Sequence, residues 1–183
     1  MKIMMFFLSV TVLMMSHVAR AVEPVAKEQA VTNGQSVAKE PPVTAEQALA
    51  AVALLETNAA SDAGVEASKK IIRFAQESHA VTVRLNPATV PWAHAKVLER
   101  EGAVRLLLLG AYIGGDVRAQ LMAQQKPSDD PYDGWRSTID VYRQIRQKKP
   151  NIVIPEIDAL VEKQKTGELK RYAAEIQNEK PTP

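Results

Sequence analysis

The residues best able to do chemistry lie between positions 129 and 149. Asp129-Asp130-Pro131-Tyr132-Asp133-Gly134 sets three carboxylates ahead of a glycine. A calcium loop of the EF-hand type needs oxygen ligands at its first, third and fifth positions, glycine at the sixth and glutamate at the twelfth. Counted from Asp129, the first, fifth and sixth positions fit. The third is Pro131, which has no side-chain oxygen, and the twelfth is Asp140, too short for the usual bidentate reach. Aspartates ahead of a helix also cap its free N–H groups and favour its dipole, and that is the role predicted here.

Directly after this loop, Arg136, Asp140 and Arg143 recur at helical spacing, with Arg146, Lys148 and Lys149 behind them. Arginines on one helix face form a basic stripe for an acidic partner or a lipid headgroup. The same spacing also makes a solvent-side ion ladder whose cations complement the helix C-terminus. If the chain binds a partner, Arg136, Arg143 and Arg146 are the residues expected to do it. His79 and His94 fall short of a zinc set, which takes three or four ligands, so neither metal nor cofactor is expected. No serine sits in a nucleophile elbow. Gly110-Ala-Tyr-Ile-Gly114-Gly115 lacks the Lys-Ser or Lys-Thr pair of a phosphate loop. An enzyme would have to assemble its site from distant residues. Trp92, His94 and the Asp129–Asp133 loop are where a small hydrolase or ligand-binding enzyme would do so.

These side chains must be positioned by a helical body. Its centre is Val104 to Met122, where four leucines, Leu106 to Leu109, precede Gly110, Ala111, Tyr112 and Ile113. A helix carrying that run is apolar all round and belongs inside a core or a membrane. The uncharged part, between Arg105 and Asp116, is ten residues long. About 20 would be needed to cross a bilayer, so a buried central helix to Gln124 or Gln125 is predicted. Gly110 and Gly114, one turn apart, allow another element to approach closely, and Gly114-Gly115 is a place for a kink.

Around that centre, Thr44-Ala-Glu-Gln47 has the form of a capping box opening a helix from Ala45 to about Ala59. It offers Leu49, Val52, Leu54 and Leu55 for burial. Its many alanines contribute little, so it is expected to sit loosely. Ser61 and Asp62 offer caps for a second helix to about Ser78, which buries Ile71, Ile72, Phe74 and Ala75. Val81, Val83 and Leu85 alternate with polar residues, as in a short strand ended by Asn86-Pro87, and the best strand partner is Asn151–Ile154. Pro91 and Gly102 bracket a helix from Pro91 to Glu101. Trp135, Ile139, Tyr142 and Ile145 mark a helix ended by Pro150. Ile154, Ile157, Leu160 and Val161 form the next stripe, and Leu169, Tyr172 and Ile176 the last.

Ser137 to Pro150 resembles the second helix of a tetratricopeptide unit, with Tyr142 eight residues before the closing proline. Leu109-Gly110 and Gly115 resemble pieces of that unit's first helix. The family places its Leu-Gly pair about 24 residues before the proline; here Gly110 and Pro150 are 40 apart. The resemblance covers less than one unit and implies a helical-hairpin scaffold.

The N-terminus reads as an address. Lys2, the apolar run Ile3–Met15 and the small-x-small triplet Ala19-Arg20-Ala21 make residues 1–21 a secretory signal peptide, cleaved after Ala21. Removing 21 of 183 residues leaves 162, and chains of that length bury about 70% of their unfolded surface in a single domain. With Lys2 and Arg20 gone, 21 basic residues of the original 23 face 21 acidic ones. A nucleic-acid binder would carry a clear positive excess. The chain has no cysteine, so its stability rests on packing alone.

The sequence therefore predicts a signal peptide over 1–21 and a disordered, proline-containing linker over 22–43. A mainly α domain of helical hairpins around a buried central helix, with at most one small β element, covers 44–178, and a frayed tail 179–183. No transmembrane span is expected after cleavage. The expected function is a non-enzymatic protein-binding module of the cell envelope, exported to the periplasm, with no nucleic-acid partner.

Overall fold

The computed structural model describes residues 41–123 and 130–178. The segment expected as a signal peptide (1–21), nearly all of the segment expected as a linker (22–43), Asp129 and the expected frayed tail (179–183) lie outside the described residues. What is described is a mainly α domain of six helices: α1 (Ala45–Asn58), α2 (Asp62–Glu77), α3 (Gly102–Ala123), α4 (Tyr132–Lys148), α5 (Pro155–Lys165) and α6 (Leu169–Asn178).

The central helix is α3. Leu108, Ala111, Tyr112 and Val117 are fully enclosed, and α1, α2 and α4 pack against it, with α5 and α6 resting on α4. Among the described residues no helix is long and apolar enough to cross a membrane. The glycines explain how three helices reach α3. A β-carbon on Gly110 would stand 2.5 Å from Cβ of Ser68 on α2, and one on Gly114 would stand 3.1 Å from Val52 on α1. On Gly115 it would meet the backbone oxygen of Asp133 at 2.2 Å. Real β-carbons do not come so close to a backbone oxygen, so α3 and α4 cross where neither carries a side chain.

Local signals placed the first two helices. Thr44 and Gln47 complete the capping box, Gln47 N–H donating to Thr44 Oγ1 (3.2 Å) and Thr44 N–H to Gln47 Oε1 (3.1 Å). Ser61 Oγ accepts from Gly64 N–H at 3.1 Å. The inward face of α1 differs from expectation. Ala48, Ala51, Val52 and Leu55 are buried while Leu54 is exposed, so α1 is not loosely held. Its alanines form the contact face: small side chains let the helix axis come close, and the gain comes from dispersion along the whole face.

Two further expectations are corrected. Val81–Leu85 forms no strand, and among the described residues it has no strand partner, Asn151–Ile154 included. At Thr82 its backbone is satisfied instead by the Gln120 side-chain amide, and at Arg84 the carbonyl accepts from the Thr89 and Tyr112 hydroxyls. Gln120 Nε2 donates to Thr82 O at 2.8 Å and its Oε1 accepts from Thr82 N–H at 2.9 Å, the same two bonds that a neighbouring strand would make. The helix expected over Pro91–Glu101 is two single-turn 3-10 helices, Pro91–His94 and Lys96–Glu99, separated by an extended Ala95. Trp92 and Leu98 are both buried. On one continuous α-helix they would point ~120° apart, and the break at Ala95 turns both inward.

Candidate functional site

Two places carry more structure than packing alone requires. The first is a groove between α4 and α5. Trp135, Ile139, Tyr142 and Ile145 turn to the core, as their spacing predicts, which leaves the arginines of α4 outward. The Tyr142 hydroxyl holds the groove's inner wall in place: it donates to Asp158 Oδ1 at 3.1 Å and accepts from Ile154 N–H at 3.0 Å. Burial chiefly, and Asp158 beside it, push the Tyr142 phenol up from its ordinary value. That hydroxyl stays protonated through the physiological range.

The groove encloses about 790 Å³, and Tyr142, Arg143, Arg146, Asp158, Val161 and Lys165 are among its walls. Arg146 stands 5.8 Å over the Tyr142 ring and makes a long 3.6 Å contact to Asp158. Arg143 donates to Asp140 at 3.1 Å and to Gln164 Oε1 at 2.8 Å. Arg143 and Asp140 are about half exposed, at 45% and 54%. Pairs this exposed contribute only about 0–1 kcal/mol and exchange readily for other partners. Arginine carries five donors, so both guanidiniums keep donors available to a ligand.

The structure thus joins Arg143 and Arg146 and separates Arg136 from them. Arg136 is not in the groove. It lies two turns earlier, 3.5 Å from Asp133 and 5.7 Å over the Tyr132 ring.

The second place is the crossing of α3 and α4. Asp116, which interrupts the apolar run of α3, is 2% exposed, and among the described residues neither carboxylate oxygen has a hydrogen-bond partner. The Gly134 N–H and the Tyr112 hydroxyl lie on its side and favour its charged form without completing a bond. Burial outweighs them, and the Asp133 and Asp130 carboxylates push the same way, so the Asp116 carboxyl is raised well above the ordinary range. Tyr112 is raised in turn, by burial first and by Asp116 second. Pro131 cannot cap α4 with its side chain. Asp130 does so, accepting from Tyr132 N–H at 3.0 Å, which is the capping role predicted for this loop.

Among the described residues, no group of three or more histidine, aspartate or glutamate side chains is placed to hold a metal ion. Trp92 is wholly buried and His94 exposed, and no hydrogen bond joins His94 to a described aspartate. Asp129, the first residue of the Asp129–Asp133 loop in that alternative site, lies outside the described residues.

No family model, no curated protein and no solved structure matches this chain. Its function must be read from the groove and the crossing themselves.

Sequence reasoning missed the polar ties among the helices. Arg118 of α3 pairs with both oxygens of Glu56 on α1, and Ser137 of α4 donates to the same carboxylate at 3.3 Å. Gln144 donates to Glu56 O and accepts from Ala59 N–H, capping the end of α1 from α4. No local pattern marks such long-range pairs. Asp116 did leave a signal: a carboxylate inside a run that is otherwise apolar on every face.

Proposed function

We propose that the protein is a non-enzymatic protein-binding module of the cell envelope, exported by its N-terminal signal peptide to the periplasm. We further propose that it docks a partner segment in the α4–α5 groove. The observation that carries this reading is the placement of Arg143 and Arg146 along one groove, each with donors to spare. Lys165 is paired with Glu162 at 2.7 Å, so within the lining the two arginines face Asp158 as their remaining counter-charge. That balance favours a segment bearing a carboxylate side chain, which arginine binds with two parallel hydrogen bonds. The exposed flank of Val161 and the Tyr142 ring offer apolar contact beside the charges, as docking sites for peptide side chains commonly do. Export rests on the charged start, apolar run and cleavage triplet of residues 1–21.

Site-specific photocrosslinking in intact cells tests the reading. A crosslinker at Gln147, on the groove, is expected to capture one defined partner, and one at Lys69, on the exposed face of α2, is not. Equal capture at both positions, or at neither, would contradict it.

A further inference from the structure

The most unusual group in the fold is one that docking does not use. Asp116 sits on α3 at the crossing with α4, beside Gly115 and Gly134, and its two oxygens are enclosed without a hydrogen-bond partner among the described residues. An ionised carboxylate in such a place is strongly disfavoured, because the loss of water outweighs what the Gly134 N–H and the Tyr112 hydroxyl offer it. The alternative open to a carboxyl is to keep its proton.

Burial and the neighbouring carboxylates outweigh the Gly134 N–H and the Tyr112 hydroxyl, the two groups that favour the charged form. On its own helix Asp116 faces Tyr112, and from α4 and its approach it faces Asp133 and Asp130. No cation is among the described groups that act on it. Asp133 is itself engaged by Arg136 at 3.5 Å. Arg84, from the extended loop, acts on Tyr112. The charge that α1 brings toward α3, Glu56, is neutralised by Arg118. Charged residues of α2 form solvent-side pairs, Glu66 with Lys69 and Glu77 with Arg73.

We propose that Asp116 is a proton-sensitive latch: the folded domain holds it as the neutral acid, and its ionisation as pH rises loosens the seam between α3 and the first turn of α4. The seam has no slack to absorb a hydrated charge. A β-carbon on Gly134 would already stand 2.6 Å from Asp116 Oδ1, so water can reach the carboxylate only if the helices part. The part that gives way is the start of α4, at Tyr132 and Asp133, where the Asp130 cap is the tie. Trp135, wholly buried, donating to Thr89 O at 2.6 Å and stacked on Tyr172, anchors the far end of that turn.

The sign follows from proton linkage. An unfolded aspartate titrates at about 3.9, and the folded group titrates higher. The folded chain therefore binds one more proton between the two values. The stabilisation is complete below about pH 4 and is lost as pH rises through the folded value, by about tenfold in the folding constant per pH unit. This inference does not depend on the groove.

The test compares wild type with Asp116→Asn, which keeps the shape and cannot ionise. Folding constants from denaturant titration are measured from pH 4 to pH 9. The ratio of the variant's constant to the wild type's is expected to rise with pH, since all other titrating groups cancel in it. At the alkaline end, amide hydrogen exchange over residues 132–134 is expected to be faster in wild type than in the variant. A ratio that stays flat with pH would overturn the proposal. If Asp116→Asn does not fold, Asp133→Asn serves instead, because removing that like charge lowers the Asp116 value. The protonated-carboxyl infrared band of the full chain should then disappear at lower pH than in wild type. A band that disappears at the pH of an ordinary carboxyl in wild type, or is unmoved by Asp133→Asn, would overturn the proposal equally.

Discussion

Gly134 of α4 lies against Asp116 of α3 so closely that a β-carbon at position 134 would stand 2.6 Å from Asp116 Oδ1 and 2.7 Å from the Tyr112 ring. The central helix pair is therefore built on the absence of a side chain. Alanine normally favours a helix over glycine by about 1 kcal/mol. Here Gly134→Ala is expected to destabilise the domain, since overpacking a tight contact costs about 1–3 kcal/mol. Gly115→Ala should cost at least as much, because its clash is with backbone. Gly102→Ala, with nothing within 4 Å, should be neutral or slightly stabilising. Urea denaturation of the three variants checks the order; equal effects at all three would refute close approach as the reason for the glycines.

The Gln120 amide stands in for a missing strand. Gln120→Leu keeps the bulk and removes both bonds to Thr82, leaving two backbone groups to find water or remain unpaired. A loss of about 1–3 kcal/mol is expected, with amide exchange at Thr82 rising more than at Leu108 in the core. An unchanged Thr82 exchange rate would show that the extended segment holds itself.

Export makes a prediction of its own. The mature protein recovered from the envelope should begin at Val22, as read by intact mass. A chain that keeps Met1 and stays with the membrane would mean that residues 1–21 act as an anchor.

Much of this architecture could be read from residue order, and the failures share a cause. The burial of Leu107 and Leu108 and the inward faces of Trp135, Ile139, Tyr142 and Ile145 follow from helical periodicity, because each depends on neighbours three and four positions away. The capping box at Thr44 is equally local. What was not legible depends on partners far along the chain. Val81–Leu85 alternates like a strand, but the residue that satisfies it is Gln120, 38 positions later. The alanine face of α1 looked weak because its value depends on how closely α3 approaches, and Gly114 decides that. Of the three arginines read as one stripe, Arg143 and Arg146 meet α5 while Arg136 meets Asp133. The separation is set by where α5 docks, which α4's own sequence does not encode.

The docking reading stands or falls on those two arginines. Arg143→Glu with Arg146→Glu reverses the groove's charge, and because both side chains are exposed the fold should lose little. Crosslinked partner recovered from the envelope should fall at least ~10-fold in this double variant, the equivalent of about 1.4 kcal/mol, while Arg136→Glu leaves recovery unchanged. Full recovery with a folded double variant, or an equal loss with Arg136→Glu, would contradict the assignment of the α4–α5 groove as the docking site.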